Sequence, residues 1–279
     1  MINILYCGNS AVFDGILTSA LSAVMRMERP EPMTVYIFTM ELTRMSEKYT
    51  AMTEADGRLI EAALRRHNKN TIVKLIDVTQ LYEEHLGHNA NEGCYCSPYT
   101  LLRLLADLVC EIPDKLLYLD ADVMFNRSPS LLYSVDVSDH EYAAARDHYG
   151  KFLLHPNYVN AGVLLFNMKE CRESGIFERA RELIRTKKLT FADQSALIRS
   201  TSKRKLLAQR FNDQKFLHRH TVIRHFSKRL FYFPYPHTEN IKQWQVDKVK
   251  KKFGYDCFDD IFDEYLEIKI RESVKKGEQ

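Results

Sequence analysis

Three features of the sequence predict an α/β fold, a Rossmann-like sheet that is mixed but mostly parallel and flanked by helices. β-rich runs alternate with helical patterns through the first 77 residues. A buried-looking run, Leu116-Leu117-Tyr118-Leu119, stops abruptly at Asp120-Ala121-Asp122. A second stretch over 159–168 pairs a small polar entry, Asn160-Ala161-Gly162, with an apolar run and reads as another strand. Alternating β and α segments demand right-handed crossovers, and these make sheet neighbours parallel.

Ile2, Ile4 and Tyr6 alternate as a strand over 2–6 should, and the loop 7–10 with Gly8 ends it. From Asp14 the pairs Ile16/Leu17, Ala20/Leu21 and Val24/Met25 recur every four residues, the mark of an amphipathic helix closed by Pro30 and Pro32. Residues 33–39, MTVYIFT, form the second strand by their β-branched and aromatic content. Leu59/Ile60 and Ala63/Leu64 place a helix over 46–67 despite Gly57, and 72–77 is the third strand. A polar loop over 83–97 leads to Ser97 as cap and Pro98 as first helical residue, with Leu101, Leu104, Leu105 and Leu108 as the apolar face. Beyond residue 140, strands are expected at 142–145 and 159–168 and helices around 176–187 and from 191, where Asp193 suits a cap. An aromatic and basic tail starts near 230 and carries Trp244, Lys250, Lys251 and Lys252. The expected organisation is one main unit over 1–230 and a small helical, aromatic C-terminal appendage over 231–279.

The 279 residues are 45% hydrophobic and 28% charged, which suffices for a full core. No apolar run reaches the roughly 18–20 residues of a membrane span. The start, MINILYCGN, lacks a basic region and a cleavage site, so it reads as a strand rather than a signal peptide. The six cysteines are Cys7, Cys94, Cys96, Cys110, Cys171 and Cys257. Cys94-Tyr95-Cys96 is tighter than a zinc-binding pair and has no matching second pair, so reduced thiols in a cytosolic protein are expected. Net charge is only +3, yet residues 203–229 hold nine Lys/Arg against Asp213 alone. Such a block suits phosphate, anionic lipid or nucleic acid, or is simply a solvated face. No nucleic-acid module accompanies it, so nucleic acid is not an expected partner. Neither G-x-G-x-x-G nor G-x-x-x-x-G-K-[ST] occurs, which argues against dinucleotide and P-loop sites.

Asp120 and Asp122 carry the chemistry. In an extended segment i and i+2 share a side, so both carboxylates emerge at a strand's carboxyl end, the ligand edge of open α/β sheets. Adjacent carboxylates repel, and a divalent ion with oxygen ligands relieves that repulsion. The plain alternative is an acidic turn after a strand.

Four motifs in order are LYLDADV at 117–123, NAGVLLFN at 160–167, ADQ at 192–194 and IRHFS at 223–227. Together they resemble the family 8 glycosyltransferases, retaining nucleotide-sugar enzymes that include bacterial lipopolysaccharide galactosyltransferases and glycogenin. The resemblance covers about residues 1–230. It implies a GT-A-type fold and metal-dependent transfer of a hexose from a UDP-sugar to a hydroxyl of a glycan or glycolipid acceptor, in the making of cell-surface polysaccharide or lipopolysaccharide. It makes Asp120, Asp122 and His225 the ligands of Mn²⁺, with Mg²⁺ as the other choice. Arg103, Ala121, Asn160 and Ala161 become donor contacts, and Tyr6, Cys7 and Asn9 the loop for base and ribose. Asp193 and Gln194 become the pair at the sugar's anomeric carbon. Gln194 is an amide and a poor nucleophile, which favours front-face departure and attack over a covalent intermediate.

Two departures from the family pattern stand out. Asn9 occupies a position where the family commonly has Asp. The Lys-Pro-Trp that usually follows the histidine is missing from His225-Phe226-Ser227-Lys228-Arg229. Lys228 or Arg229 is therefore expected to bring the cation to the diphosphate, with Phe233-Pro234-Tyr235 a lysine-less remnant of the tripeptide. The aromatic segment 231–235 and the lysines of 248–252 either dock on an anionic membrane, placing a cytoplasmic protein on its inner face, or pack as a lid with a solvated helix behind. Two rivals are a non-catalytic nucleotide-sugar-binding protein and a phosphatase. The latter usually has Thr or Val where this chain has Met124.

Overall fold

The strands in chain order are β1 (Ile2–Cys7), β2 (Met33–Thr39), β3 (Thr71–Asp77), β4 (Lys115–Leu119), β5 (Val123–Phe125), β6 (Tyr142–Arg146), β7 (Val159–Asn167), β8 (Arg204–Leu207), β9 (Ile223–His225), β10 (Arg229–Phe231) and β11 (His237–Glu239). The structure is a computed structural model describing residues 1–94 and 97–277, so Tyr95 and Cys96 of the tight cysteine pair lie outside the described residues. Seven strands make the central sheet in the order β3-β2-β1-β4-β7-β6-β8. The first four are parallel, β7 runs antiparallel to both β4 and β6, and β8 is parallel to β6.

Both faces of the sheet's central strands are covered, which is why β2, β4 and β7 are buried along almost their whole length. Ile2, Ile4 and Tyr6 of β1 enter one hydrophobic layer with Leu117 and Leu119 of β4. Leu5, Leu116 and Tyr118 enter the layer on the other side. The first layer also holds the helix Phe13–Met25 and the C-terminal residues Phe258, Ile261, Phe262, Tyr265 and Ile268. Ion pairs Arg26–Asp260 at 2.7 Å and Lys269–Asp14 at 2.9 Å fasten the helix Asp259–Gly277 to the N-terminal helix. Among the described residues no helix is long and apolar enough to cross a membrane.

Three elements differ from expectation. The helix expected over 46–67 spans only Glu54–Arg65, because Thr53 starts it with a capping box: its side chain accepts from the Asp56 N–H while Asp56 accepts from the Thr53 N–H. The helix expected after Ser97 is a 3₁₀ helix, Pro98–Leu105, with no side-chain cap from Ser97. It lies between strands β1 and β2 on one side and the helices Ile176–Thr186 and Ala192–Ser200 on the other, so Leu101, Leu102, Leu104 and Leu105 are all buried and no polar face remains. Finally, the basic block contains an unexpected edge strand, β8, whose Arg204 and Lys205 suit a sheet border that must not recruit further strands.

Candidate active site

β4 ends at Leu119, and the next three residues build the floor of a cleft of about 210 Å³. Cys7, Gly8 and Asn9 line it from the end of β1, Tyr99 and Thr100 from the 3₁₀ helix, and Lys242 and Trp244 from the C-terminal segment. Asp120, Ala121 and Asp122 lie between them. A roomier groove of about 640 Å³, where Lys269 and Asp14 pair, gathers none of these residues.

His225 reaches the two aspartates through strand pairing. β5 and β9 are antiparallel with Val123 opposite His225, and the Phe226 N–H donates to the Asp122 carbonyl at 2.7 Å. The register therefore puts the imidazole one residue past Asp122. His225 Nε2 lies 3.1 Å from Asp122 Oδ1 and 3.9 Å from Asp120 Oδ2. One ligand atom from each of the three residues lies within 4.8 Å of the others. The other ring nitrogen, Nδ1, is 3.0 Å from Asn212 Oδ1, and Asn212 donates in turn to Asn160 Oδ1 at 2.8 Å. Such outer contacts fix a ligating histidine's orientation.

Two carboxylate oxygens and an imidazole nitrogen suit a divalent ion of manganese or magnesium type. The structure itself shows that this spot is built for positive charge. Lys242 Nζ contacts Asp122 Oδ2 at 2.5 Å and already supplies a cation there. Removal from water opposes ionisation of Asp122, but the Lys242 ammonium and the His225 ring outweigh it and hold the carboxyl well below its usual range.

Arg103 joins the rest of the site. The sequence places it off the apolar face, as a surface residue would be, yet only 2% of it is exposed. Its Nη2 donates to Asp120 Oδ1 at 3.0 Å, its Nε to the Thr100 carbonyl at 2.8 Å, and its Nη1 to the Ala161 carbonyl. Nε is also 3.2 Å from Asp193 Oδ2, and the guanidinium lies 3.9 Å over the Tyr118 ring. Burial pushes the Asp193 carboxyl up and Arg103 opposes that only in part. Deleting a partner from a buried charged cluster typically costs about 3–5 kcal/mol. Arg103→Ala is accordingly expected to lower the unfolding free energy by about that much in denaturant titration; a loss under about 1 kcal/mol would mean Asp120 and Asp193 do not depend on it.

The strand β7 is bulged beside this cluster. β6 advances from Ala144 to Arg146 while its partner falls back from Leu164 to Val159. Ala161 and Leu164 consequently share one layer while Val163 enters the other. The bulge exposes backbone to the site: Gly162 O accepts from the Asp120 N–H at 2.8 Å, and the Ala161 N–H donates to Gln194 Oε1 at 2.9 Å.

Most residues singled out in the sequence therefore converge: Cys7, Asn9, Arg103, Asp120, Ala121, Asp122, Asn160, Ala161, Asp193, Gln194 and His225 lie in or against the cleft. Tyr6 does not line it; its hydroxyl is buried 2.8 Å from Ser19. The tripeptide Phe233-Pro234-Tyr235 points into solvent, with Phe233 89% exposed. Lys242 and Trp244 line the cleft instead, in the sequence Lys242-Gln243-Trp244. Gln243 Nε2 donates to the Ala121 carbonyl at 2.6 Å and locks this segment onto the aspartate turn. A Lys-x-Trp spacing at 242–244, beyond the β10–β11 hairpin, was the signal the sequence offered for these two residues.

A family model described as Glycosyl transferase family 8 matches residues 3–219. Over 95 residues the chain is 36% identical to a probable glycosyl transferase Gly of Streptococcus gordonii, a stretch covering 33% of this chain and 14% of that protein. It is 34% identical over 111 residues to the glycosyltransferase GlyA of Streptococcus pneumoniae serotype 4, covering 38% of this chain and 16% of that one. The matches thus span only a small part of these curated relatives. Among solved structures, the galactosyltransferase LgtC in complex with donor and acceptor sugar analogues superimposes with a TM-score of 0.68 at 19% identity, over 96% of this chain and 95% of that one. The glycosyltransferase GlyE of Streptococcus pneumoniae TIGR4 superimposes with a TM-score of 0.61 at 19% identity, over 95% of this chain and 63% of that one. At such identity the likeness is one of fold.

Proposed function

The chain belongs to glycosyl transferase family 8, and from that premise we propose that this hexosyltransferase moves a hexose from a UDP-sugar to a hydroxyl of a glycan or glycolipid, with retention and with a divalent ion. The observation that carries the reading is the convergence of Asp120, Asp122 and His225 at the floor of a cleft open to the end of β1. These three residues would hold Mn²⁺, or Mg²⁺ in its place. Bound there, the ion would offset the charge that develops on the departing diphosphate.

The chain's own residues do the remainder. Cys7 and Asn9 border the space for the nucleoside. Lys242, rather than Lys228, is the cation for the diphosphate, because it already lies against Asp122. The main donor unit over 1–230 is then completed by two residues of the C-terminal appendage, Lys242 and Trp244. Gln194 is held by the Ala161 N–H beside the bulge and faces the sugar as a carboxamide. Asp193 is buried against Arg103 and acts through it, and with Gln194 an amide this favours front-face transfer over a covalent intermediate.

The test is release of UDP from UDP-glucose and UDP-galactose, with and without Mn²⁺, by the wild type and Asp122→Asn. Slow release without acceptor is expected, dependent on both the ion and Asp122. Release that ignores both would remove the metal site from the reaction, and release of phosphate from a monoester would favour the phosphatase reading.

A further inference from the structure

Two loops beside the cleft hold large apolar side chains in water. On the short helix Gly150–Leu153, Phe152 is 77% and Leu153 78% exposed. At the tip of the β10–β11 hairpin, Tyr232 is 66% exposed and Phe233 projects furthest of all. The two segments are neighbours: the Leu230 N–H donates to the Tyr149 hydroxyl at 3.2 Å. Both adjoin the site, since Asp147 at the base of the first loop accepts from Asn160 Nδ2 at 2.9 Å and β10 begins soon after His225. Single exposed apolar residues are ordinary, but paired apolar loop tips mark a surface that is covered in use.

Charge indicates what covers it. Between Lys215 and Arg229 the sequence holds no acid. Lys215 and Arg229 both lie over the Phe216 ring, at 5.1 and 5.6 Å, between the two loops. The acids that these loops do carry are engaged within the fold. Asp147 accepts from the Gly150 N–H at 2.6 Å, and Glu239 pairs with Lys252 and with His237 at 2.9 Å. A second copy of this surface would meet it with like charge. A bilayer with anionic headgroups offers both the negative charge and an apolar layer just beneath.

We propose that the 150–154 loop and the β10–β11 hairpin form one two-point docking surface for an anionic bilayer. Each loop inserts its aromatic tip at headgroup depth, where aromatic rings are favoured, while the basic residues between them contact lipid phosphates. The arrangement turns the rim of the cleft toward the bilayer, where a lipid-borne acceptor hydroxyl would lie. Only that purpose rests on the glycosyltransferase reading.

The experiment is co-sedimentation of the full chain with vesicles of phosphatidylcholine alone or mixed with phosphatidylglycerol, without donor or acceptor, so its failure is separate from any failure of the enzymatic reading. Binding is expected only to the mixed vesicles and should weaken with salt. The double variants Phe152→Ser/Leu153→Ser and Tyr232→Ser/Phe233→Ser should each lower partitioning about tenfold or more, and Lys215→Glu about fivefold or more. Both serine variants should keep the wild-type melting temperature, since their side chains are exposed. No binding to mixed vesicles overturns the proposal. So does binding that survives both serine pairs, which would make the attraction one of charge alone. Dimers that dissociate on serine substitution would assign the patch to a second copy instead.

Discussion

An alanine at Gly162 is expected to remove nearly all metal-dependent turnover. A Cβ there would lie 2.3 Å from His225 Cε1 and 2.7 Å from Asp120 Oδ2, against two of the three groups that would hold the ion. Neither neighbour can give way freely. His225 is tied to Asn212 and to the β5–β9 pairing, and Asp120 is held by Arg103 and by the Tyr118 hydroxyl at 2.7 Å. Whichever yields, the ligand atoms separate. Displacement of this size in a catalytic constellation costs on the order of 10²-fold in rate, and disturbing a ligand's outer contacts costs about 10–100-fold in metal affinity. Mn²⁺ titration by electron paramagnetic resonance, donor hydrolysis and a melting curve together read the effect. Wild-type Mn²⁺ affinity in a folded Gly162→Ala protein would show that the three residues do not act as one site.

The same glycine shows what the sequence could and could not reveal. Its apolar run marks β7 at once, but the bulge that carries Gly162 to the aspartates depends on a register mismatch with β6. The aspartates were legible because carboxylates at i and i+2 of an extended segment share a side and repel unless a cation compensates, and because three further motifs follow them in order. Arg103 was legible only through the family resemblance, which made it a donor contact. Its spacing alone reads as surface, and what buries it is Asp120, Asp193 and the Ala161 carbonyl, all brought from elsewhere in the chain. Thr53 and Asp56 did advertise the start of their helix, and the periodic pattern after them drew the boundary too early. At Gly15 the helix packs so closely beneath the aspartate turn that a Cβ would lie 2.6 Å from the Ala121 carbonyl and 2.7 Å from the Trp244 ring. That contact joins residues near both ends of the chain, and no local pattern announces it.

Lys242→Met should separate two effects that work in opposite directions. In this structure the ammonium neutralises Asp122 at 2.5 Å, so a divalent ion arriving without donor must displace it or share the carboxylate with it. Two unit charges at about 4 Å interact by about 4 kcal/mol at the effective dielectric of a protein surface, and partial exposure of both groups reduces that figure. Removing the ammonium is therefore expected to tighten Mn²⁺ binding in the absence of donor by about tenfold. The same change removes the cation assigned to the diphosphate. Charge-assisted contacts of this kind are worth about 1.5–3 kcal/mol each, so affinity for UDP in the presence of saturating Mn²⁺ should fall about 10–100-fold. Calorimetric titration of Mn²⁺ alone, then of UDP with Mn²⁺ saturating, reads the two arms separately. A variant with weaker affinity for both would make Lys242 a structural strut of the aspartate turn. A variant unchanged for UDP would return the diphosphate to Lys228 or Arg229. Tighter metal with weaker nucleotide fits only a lysine that balances Asp122 until the ion arrives and then serves the donor.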